Sequence, residues 1–322
     1  MSELRFDGRV AVVTGAGRGI GRAEAVFLAE RGAAVVVNDL GSTTAGDGES
    51  EGPAHEVAQE IAAAGGTAVA STSTVSTPEG AQAIVDLAIE RFGRVDVVVN
   101  NAGILDSGRF PDITPADLQR QLDVHLLGSF NVTRAAWPHL AAQGYGRVVM
   151  TVSSAGLYGM PAQLAYGAAK GGVVGLMRSL ACLGPDAGIM VNAMGPGAYT
   201  RMVDTLSDEN FKAFSKATRT PAAVAPIVTV LAHESCPVNG EIFMASSGRV
   251  ARAFIAETPG YFKLGHTPED LLANWGTVVA DDGFHLPASA GENVHITLER
   301  LRAEGISVPD LQGLPEFSRA RA

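Results

Sequence analysis

The chain is predicted to adopt an α/β fold, a doubly wound parallel seven-stranded sheet over residues 5–250, followed by a C-terminal extension over 251–322. Three observations lead there. Apolar strand-like runs recur between helical stretches along the first 250 residues, a rhythm that gives a parallel sheet wrapped by helices on both faces. The runs Val35-Val36-Val37 and Val97-Val98-Val99 are apolar without alternation, as in strands buried on both sides. The first strand runs directly into a glycine-rich turn. A length of 322 residues with 46% hydrophobic content is enough for one large domain plus an extension.

In chain order, strands are expected at residues 10–14, 33–38, 67–70, 95–99, 147–152, 190–193 and 241–244. Gly32 closes the first helix and Gly65-Gly66 the second, as helix C-terminal signals. The polar, glycine-rich segment 41–53 is too long for an ordinary strand-to-helix connection. It is expected to be a surface loop near the adenosine end of a nucleotide. After Met244 the alternation stops. Prolines stand at 259, 268, 287, 309 and 315, with one amphipathic helix candidate at 294–304.

The first turn reads Thr14-Gly15-Ala16-Gly17-Arg18-Gly19-Ile20-Gly21. Gly15, Gly19 and Gly21 permit a tight turn and close helix packing, and the following helix N-terminus offers free N–H groups to a pyrophosphate. This is the device of Rossmann-type sheets, here spaced G-x3-G-x-G. Asp39 ends the second strand, eighteen residues after Gly21. A carboxylate there accepts from the adenosine ribose hydroxyls and repels a 2′-phosphate, which selects NAD over NADP. Arg18 pulls the other way, because a guanidinium in this loop suits a 2′-phosphate. Asp39 as a plain turn residue is the alternative.

Tyr166 and Lys170 are four residues apart, with Ser153 thirteen residues before the tyrosine. On a helix, positions i and i+4 share a face. A cation beside a phenol favours the phenolate and pulls its pKa toward the working range, which suits acid/base chemistry.

These motifs together, with Asn100-Asn101-Ala102-Gly103, resemble the classical short-chain dehydrogenase/reductase family over roughly residues 5 to 250. The resemblance implies hydride transfer between NAD and a secondary alcohol or ketone. It assigns Tyr166 as the acid/base and Lys170 as the group that holds the nicotinamide ribose and lowers the tyrosine pKa. Ser153 would bind the reacting oxygen, with Ser154 a turn hydroxyl. The cofactor would meet Gly15, Arg18, Gly19, Ile20, Gly21, Asp39, Asn101, Ala102 and Gly103, together with Tyr166, Lys170, Pro196, Gly197 and Thr200. The last three belong to a Pro-Gly turn whose nearby hydroxyl anchors the carboxamide. Two departures stand out. His125 occupies the place of the family's usual asparagine in Val124-His125-Leu126-Leu127-Gly128; it either holds the water that relays protons from lysine to solvent, or relays a proton itself, or is a buried neutral histidine bonded to backbone. The acidic adenine contact is replaced by Ser71-Thr72-Ser73-Thr74-Val75.

Less generic stretches narrow the resemblance. They include Val37-Asn38-Asp39-Leu40-Gly41, residues 128–137, Tyr145-Gly146-Arg147, Gly156-Leu157-Tyr158-Gly159 and Leu231-Ala232-His233-Glu234-Ser235-Cys236. These are similar to the dehydrogenase part of type 2 peroxisomal multifunctional enzymes, a subgroup that also carries histidine at the 125 position. The implied reaction is oxidation of (3R)-hydroxyacyl-CoA to 3-oxoacyl-CoA by a free-standing dehydrogenase. The alternatives are 17β-hydroxysteroid oxidation and NADPH-dependent reduction of 3-oxoacyl-acyl-carrier protein; a non-catalytic NADH sensor or scaffold is the competing class. Residues 199–221 are expected to form a substrate lid, with Met202, Leu206, Phe211 and Phe214 as its apolar lining. Arg201, Lys212, Lys216 and Arg219 are set either toward CoA phosphates or on a solvated face.

A net charge of -10 argues against nucleic acid or an anionic membrane as partner. Cys182 and Cys236 lack C-x-x-C spacing and sit in apolar helical contexts, so both are expected as reduced core thiols, with no metal site. No apolar leader and no span-length apolar run is present, and the last residues are not of the S-K-L type. A cytoplasmic protein is expected. It should be a homo-oligomer, dimer or tetramer, because the extension carries Phe254, Ile255, Tyr261, Phe262, Leu271, Leu272 and Trp275 that need cover.

Overall fold

A computed structural model describes residues 3–199 and 208–309. It divides into two compact units, Met1–Arg252 and Ala253–Ala322. The first unit is built on β1 (Val10–Thr14), β2 (Ala34–Asn38), β3 (Thr67–Ser71), β4 (Val97–Asn100), β5 (Gly146–Thr151), β6 (Ile189–Gly197), β7 (Ile242–Ser246) and β8 (Arg249–Ala253). Among the described residues these form one sheet in the order β3-β2-β1-β4-β5-β6-β7-β8. Pairing from β3 through β7 is parallel.

The sheet has eight strands where seven were expected. The extra one arises from a two-residue turn: Ser247 at φ 50° and Gly248 at φ 78° both take the left-handed region that a tight hairpin turn requires. β8 therefore folds back on β7, and Arg252 pairs with Glu241 across the hairpin at 2.6 Å. A βα rhythm contains no signal for such a hairpin.

The helices of this unit are α1 (Gly19–Glu30), α2 (Gly52–Ala63), α3 (Pro78–Phe92), α4 (Pro115–Gln121), α5 (Gly128–Gln143), α6 (Ser154–Tyr158), α7 (Leu164–Leu183), α8 (Glu209–Thr218) and α9 (Ala225–Ala232). The valines of β1, β2 and β4 are almost wholly buried, which is why those runs need no polar face. Phe6, Leu28, Val57 and Ile61 join them in the core, with Val228 and Leu231. Parallel strands point their C-terminal ends to one edge. Thr14, Asn38, Asn100 and Thr151 thus deliver the following loops to one side, where ligands bind in open α/β sheets.

His125 lies in a π-helical segment, residues Leu122–Leu127, between α4 and α5, a widening that often accompanies functional sites. The cysteines differ from the sequence expectation. Cys182 is exposed while Cys236 is buried; Cys182 falls on the outer side of α7, so only one thiol is a core thiol.

The second unit contains α10 (Pro268–Ala273), α11 (Trp275–Val278) and α12 (Ala290–Ala303). Thr267 and Ser289 cap α10 and α12, so the amphipathic candidate begins four residues earlier than the apolar period suggests. Phe254 stacks on Phe284 at 5.6 Å, and Glu257 bridges to His285. Phe254, Ile255, Leu272 and Trp275 remain exposed in the single chain. Among the described residues no helix is long and apolar enough to cross a membrane.

Candidate active site

The glycine turn is clasped from the end of β4. Thr14 Oγ1 accepts from the backbone N–H of Asn101 and of Ala102, both at 3.1 Å. Asn101 Nδ2 in turn donates to Thr14 O at 2.9 Å and Gly15 O at 3.1 Å. Gly15 and Gly21 leave no room for side chains. Gly15 stands at φ 65° and a Cβ there would lie 2.7 Å from Ala102 Cα; one on Gly21 would lie 2.3 Å from Gly15 O. Thr14 was not singled out in the sequence, because a hydroxyl closing a strand carries no pattern of its own.

α1 starts immediately after this turn with Gly19 and Ile20. Arg18, exposed and extended, makes no side-chain cap, and no acidic residue occupies the first turn. The first N–H groups of α1 are thus left for an anion. Asp39 leans into the same turn: its carboxylate accepts from Gly17 N–H at 2.9 Å and Gly41 N–H at 2.7 Å. A carboxylate has further lone pairs for two ribose hydroxyls. The sterics, the bare helix end and the carboxylate all fit a dinucleotide.

At the end of β5, Ser153 is the N-cap of α6 and its Oγ accepts from Ala155 N–H at 3.2 Å. Ser154 is exposed in the first turn of that helix. Ser153 is close enough to the Tyr166 hydroxyl to favour its ionised form. Lys170, one turn further along α7, is 3% exposed and donates from Nζ to Thr151 O at 2.6 Å. Burial pushes its ammonium down to about 7.

The Tyr166 phenol is raised above its ordinary value by burial, and the Ser153 hydroxyl only partly opposes this. The lysine expected to pull it down has its Nζ on the Thr151 carbonyl, 5.9 Å from the Tyr166 ring centre.

His125 is 1% exposed and meets the Tyr166 ring edge-on at 5.1 Å. Its Nε2 contacts Ile104 O at 2.8 Å, while Nδ1 is buried with no partner among the described residues. Burial, and then the Lys170 charge, hold this imidazole well below its ordinary pKa. Gly103 packs on the same ring; a Cβ there would lie 2.5 Å from His125 Cε1. Ser153, Tyr166, Lys170 and His125 are thus brought together.

Pro196 and Gly197 end β6, where Ser246 Oγ donates to Gly197 O at 3.0 Å. Thr200, Arg201, Met202 and Leu206 lie outside the described residues. In α8, Phe211 and Phe214 sit 6.3 Å apart with the Arg219 guanidinium 5.0 and 5.4 Å from their rings, and Lys212 pairs with Glu209. Two of the candidate phosphate cations are therefore engaged locally, and Lys216 is exposed. No group of three His, Cys, Asp or Glu among the described residues is placed to hold a metal ion.

A family model described as short chain dehydrogenase matches residues 9–210. The chain belongs to the short-chain dehydrogenase family. It is 42% identical over 313 residues to the peroxisomal multifunctional enzyme type 2 of Mus musculus, covering 95% of this chain and 42% of that protein. The full-length peroxisomal multifunctional enzyme type 2 of Drosophila melanogaster superposes with a TM-score of 0.76 at 33% identity, covering 93% of this chain and 50% of that one. A 7α-hydroxysteroid dehydrogenase solved with NADH and a 7-oxo bile acid gives 0.69 at 28% identity, over 77% of this chain and 97% of that one. The chain thus spans about half or less of the multifunctional relatives. The short-chain dehydrogenase Ser, Tyr and Lys positions and the glycine turn all fall within this shared region.

Proposed function

We propose that this oxidoreductase oxidises (3R)-hydroxyacyl-CoA to 3-oxoacyl-CoA with NAD. The observation that carries the reading is the meeting of Ser153, Tyr166 and Lys170 beside a dinucleotide cradle that ends on the Asp39 carboxylate. The matches to multifunctional enzymes of type 2 over nearly the whole chain support the substrate class. Bound nicotinamide supplies the hydride acceptor.

In this reading Ser153 Oγ–H donates to the substrate oxygen, and Tyr166 takes the hydroxyl proton in its ionised form, which the Ser153 hydroxyl and the positive charge of oxidised nicotinamide would favour against burial. Lys170, held near 7 by its dry surroundings, is poised to pass a proton on at neutral pH. Asp39 favours NAD because a 2′-phosphate would stand against its carboxylate, whereas Arg18, exposed in the loop, supports the NADP alternative. The exposed Phe130 and Leu183 on α5 and α7 support pairing of two chains along those helices.

The test is a panel of (3R)- and (3S)-hydroxyacyl-CoA thioesters and a 17β-hydroxysteroid, each with NAD and NADP, followed by reduced-cofactor absorbance. Turnover restricted to the (3R) thioesters with NAD is expected. Steroid turnover alone, or preference for NADP, would replace this reading. NADH binding without any turnover would move the protein to the non-catalytic class.

A further inference from the structure

The long connection from β2 to α2 is a closed loop. Ser50 N–H donates to Leu40 O at 3.0 Å, and Gly41, at φ 74°, lies so near Ser50 that a Cβ there would collide with its carbonyl oxygen. The ends of residues 42–49 therefore meet, as in compact surface loops. Within the loop Thr43 N–H donates to Asp47 O at 2.9 Å, and Asp47 N–H to Thr43 Oγ1 at 3.1 Å. At its exit Pro53 rests on the glycine turn, where a Cβ on Gly17 would lie 2.7 Å from Pro53 Cβ.

The tip lands on the segment that follows β4. Leu105 N–H donates to Thr44 O at 2.8 Å. Gly46, at φ 93°, lies against the buried Ile104, and a Cβ there would be 3.1 Å from Ile104 Cγ2. Arg120 of α4 pairs with Asp106 at 2.6 Å and Asp117 at 3.2 Å, and reaches Asp47 of the loop at 4.0 Å.

These partners belong to opposite faces of the sheet. α1 and α2 share a core with Val35, Val37 and Val99. Asn100, the next residue of β4, points the other way and donates to Thr133 of α5 at 2.9 Å. The change of face thus falls between β1 and β4, neighbours in the sheet, and such a switch opens the crevice in which an α/β sheet takes its ligand. β1 also separates β2 from β4. A loop from β2 that touches residues 104 and 105 must cross above the end of β1, a span of about 10 Å or two strand spacings.

Resting on the dehydrogenase reading above for the presence of a dinucleotide, we infer that residues 42–49 are a strap over the adenosine half of the cofactor crevice, latched to Ile104, Leu105 and Arg120, and that the cofactor enters and leaves when the latch opens. One main-chain hydrogen bond, one apolar contact and an ion pair at 4.0 Å on an exposed aspartate make a weak latch. It joins protein to protein. Loosening it should therefore speed entry and exit alike and leave affinity nearly unchanged.

Two variants test this. Gly46→Val sets a β-branched side chain at positive φ against Ile104 and should lift the strap. The harsher one removes residues 42–49 and joins Gly41 to Ser50 through a single glycine; the bond from Ser50 N–H to Leu40 O then closes a four-residue turn, and Asp39 and Gly17 keep their places. Stopped-flow NADH fluorescence, without substrate, should show association and release both faster by about tenfold in each variant, the effect of losing roughly one hydrogen bond, with Kd within about threefold. Hydrogen exchange at the Leu105 amide, followed without cofactor, should be faster in both variants than in the wild type. Unchanged rates in the excised variant would overturn the gate. Faster release alone, with Kd weakened in proportion, would make the loop a wall of the site and overturn it too. Preference for NADPH, or absence of hydroxyacyl-CoA turnover, would count against the proposed function alone, because both rates can be read with either reduced cofactor and no substrate.

Discussion

The two edges of the sheet both bury charge, and they treat it in opposite ways. At the N-terminal edge Asp96, 0% exposed, takes Arg9 at 3.0 Å, Arg94 at 2.6 Å and Val10 N–H at 2.9 Å. The Tyr145 ring lies against the guanidinium groups of Arg9 at 3.8 Å and Arg147 at 4.5 Å, and Arg147 donates to the carbonyls of Gly146, His233 and Glu234. At the C-terminal edge Lys170 has one carbonyl, and His125 Nδ1, Thr151 Oγ1 and Asn100 Oδ1 have no partner among the described residues. Paired charge in a low-dielectric interior holds a fold in register; buried groups left short of partners have shifted pKa values and are available to react.

The largest expected effect breaks the reactive edge. Tyr166→Phe should lower kcat by about 10²-fold or more, the range for an acid/base group, with NADH affinity within a few fold by fluorescence titration; retention of a tenth of the activity would remove the phenol from its role. The paired edge should answer in stability instead. Asp96→Ala takes the carboxylate from Arg9 and Arg94 and leaves Val10 N–H without its acceptor, Arg9 keeping Glu234; it is expected to cost roughly 2 kcal/mol in urea unfolding, while the folded fraction keeps its NADH Kd.

Glu24 sharpens the contrast, being a buried carboxyl on α1 with neither oxygen partnered among the described residues. Burial raises its pKa from 4.5 to about 8. Below about pH 4.5 folded and unfolded chains are both protonated there, so the contribution is fully retained; as pH rises the unfolded chain ionises first, and stability is lost until the folded group ionises near 8. Glu24→Gln should flatten that slope, by an amount on the order of a few kcal/mol between pH 5 and 8. Equal slopes in wild type and variant would show that Glu24 finds a partner in solution. Its kcat at pH 7 should not change, which separates a lone buried acid from one in the site.

The smallest effect concerns selectivity. Asp39→Ala removes the acceptor for Gly17 and Gly41 N–H and should narrow any NAD over NADP preference by about tenfold, roughly 1.4 kcal/mol. Isothermal titration with both cofactors reads it; an unchanged ratio would hand the discrimination to Arg18.

Much of this contrast was legible in the sequence. Val10–Thr14, Val35–Val37 and Val97–Val99 announce buried parallel strands because nothing in them is polar, and Gly15, Asp39, Ser153, Tyr166 and Lys170 stand at separations that a βα rhythm converts into proximity. What stayed hidden depends on backbone geometry or on single contacts. A π-helical turn at Leu122–Leu127 leaves the side-chain pattern unchanged, and β8 depends on two left-handed residues. Spacing likewise gives the distance between Tyr166 and Lys170 but not where the ammonium points, which the Thr151 carbonyl decides.

The clasp between Thr14 and Asn101 joins residues 87 positions apart. The glycine turn is written near the start of the chain, but the groups that fix it arrive only with the fourth strand. During synthesis, a chain that stops short of Asn101 carries the nucleotide motif in letters alone, and contacts of such long range form late. Retention of the dinucleotide should therefore be absent until the fourth strand has left the ribosome, and cofactor retention by stalled nascent chains of graded length would record that threshold.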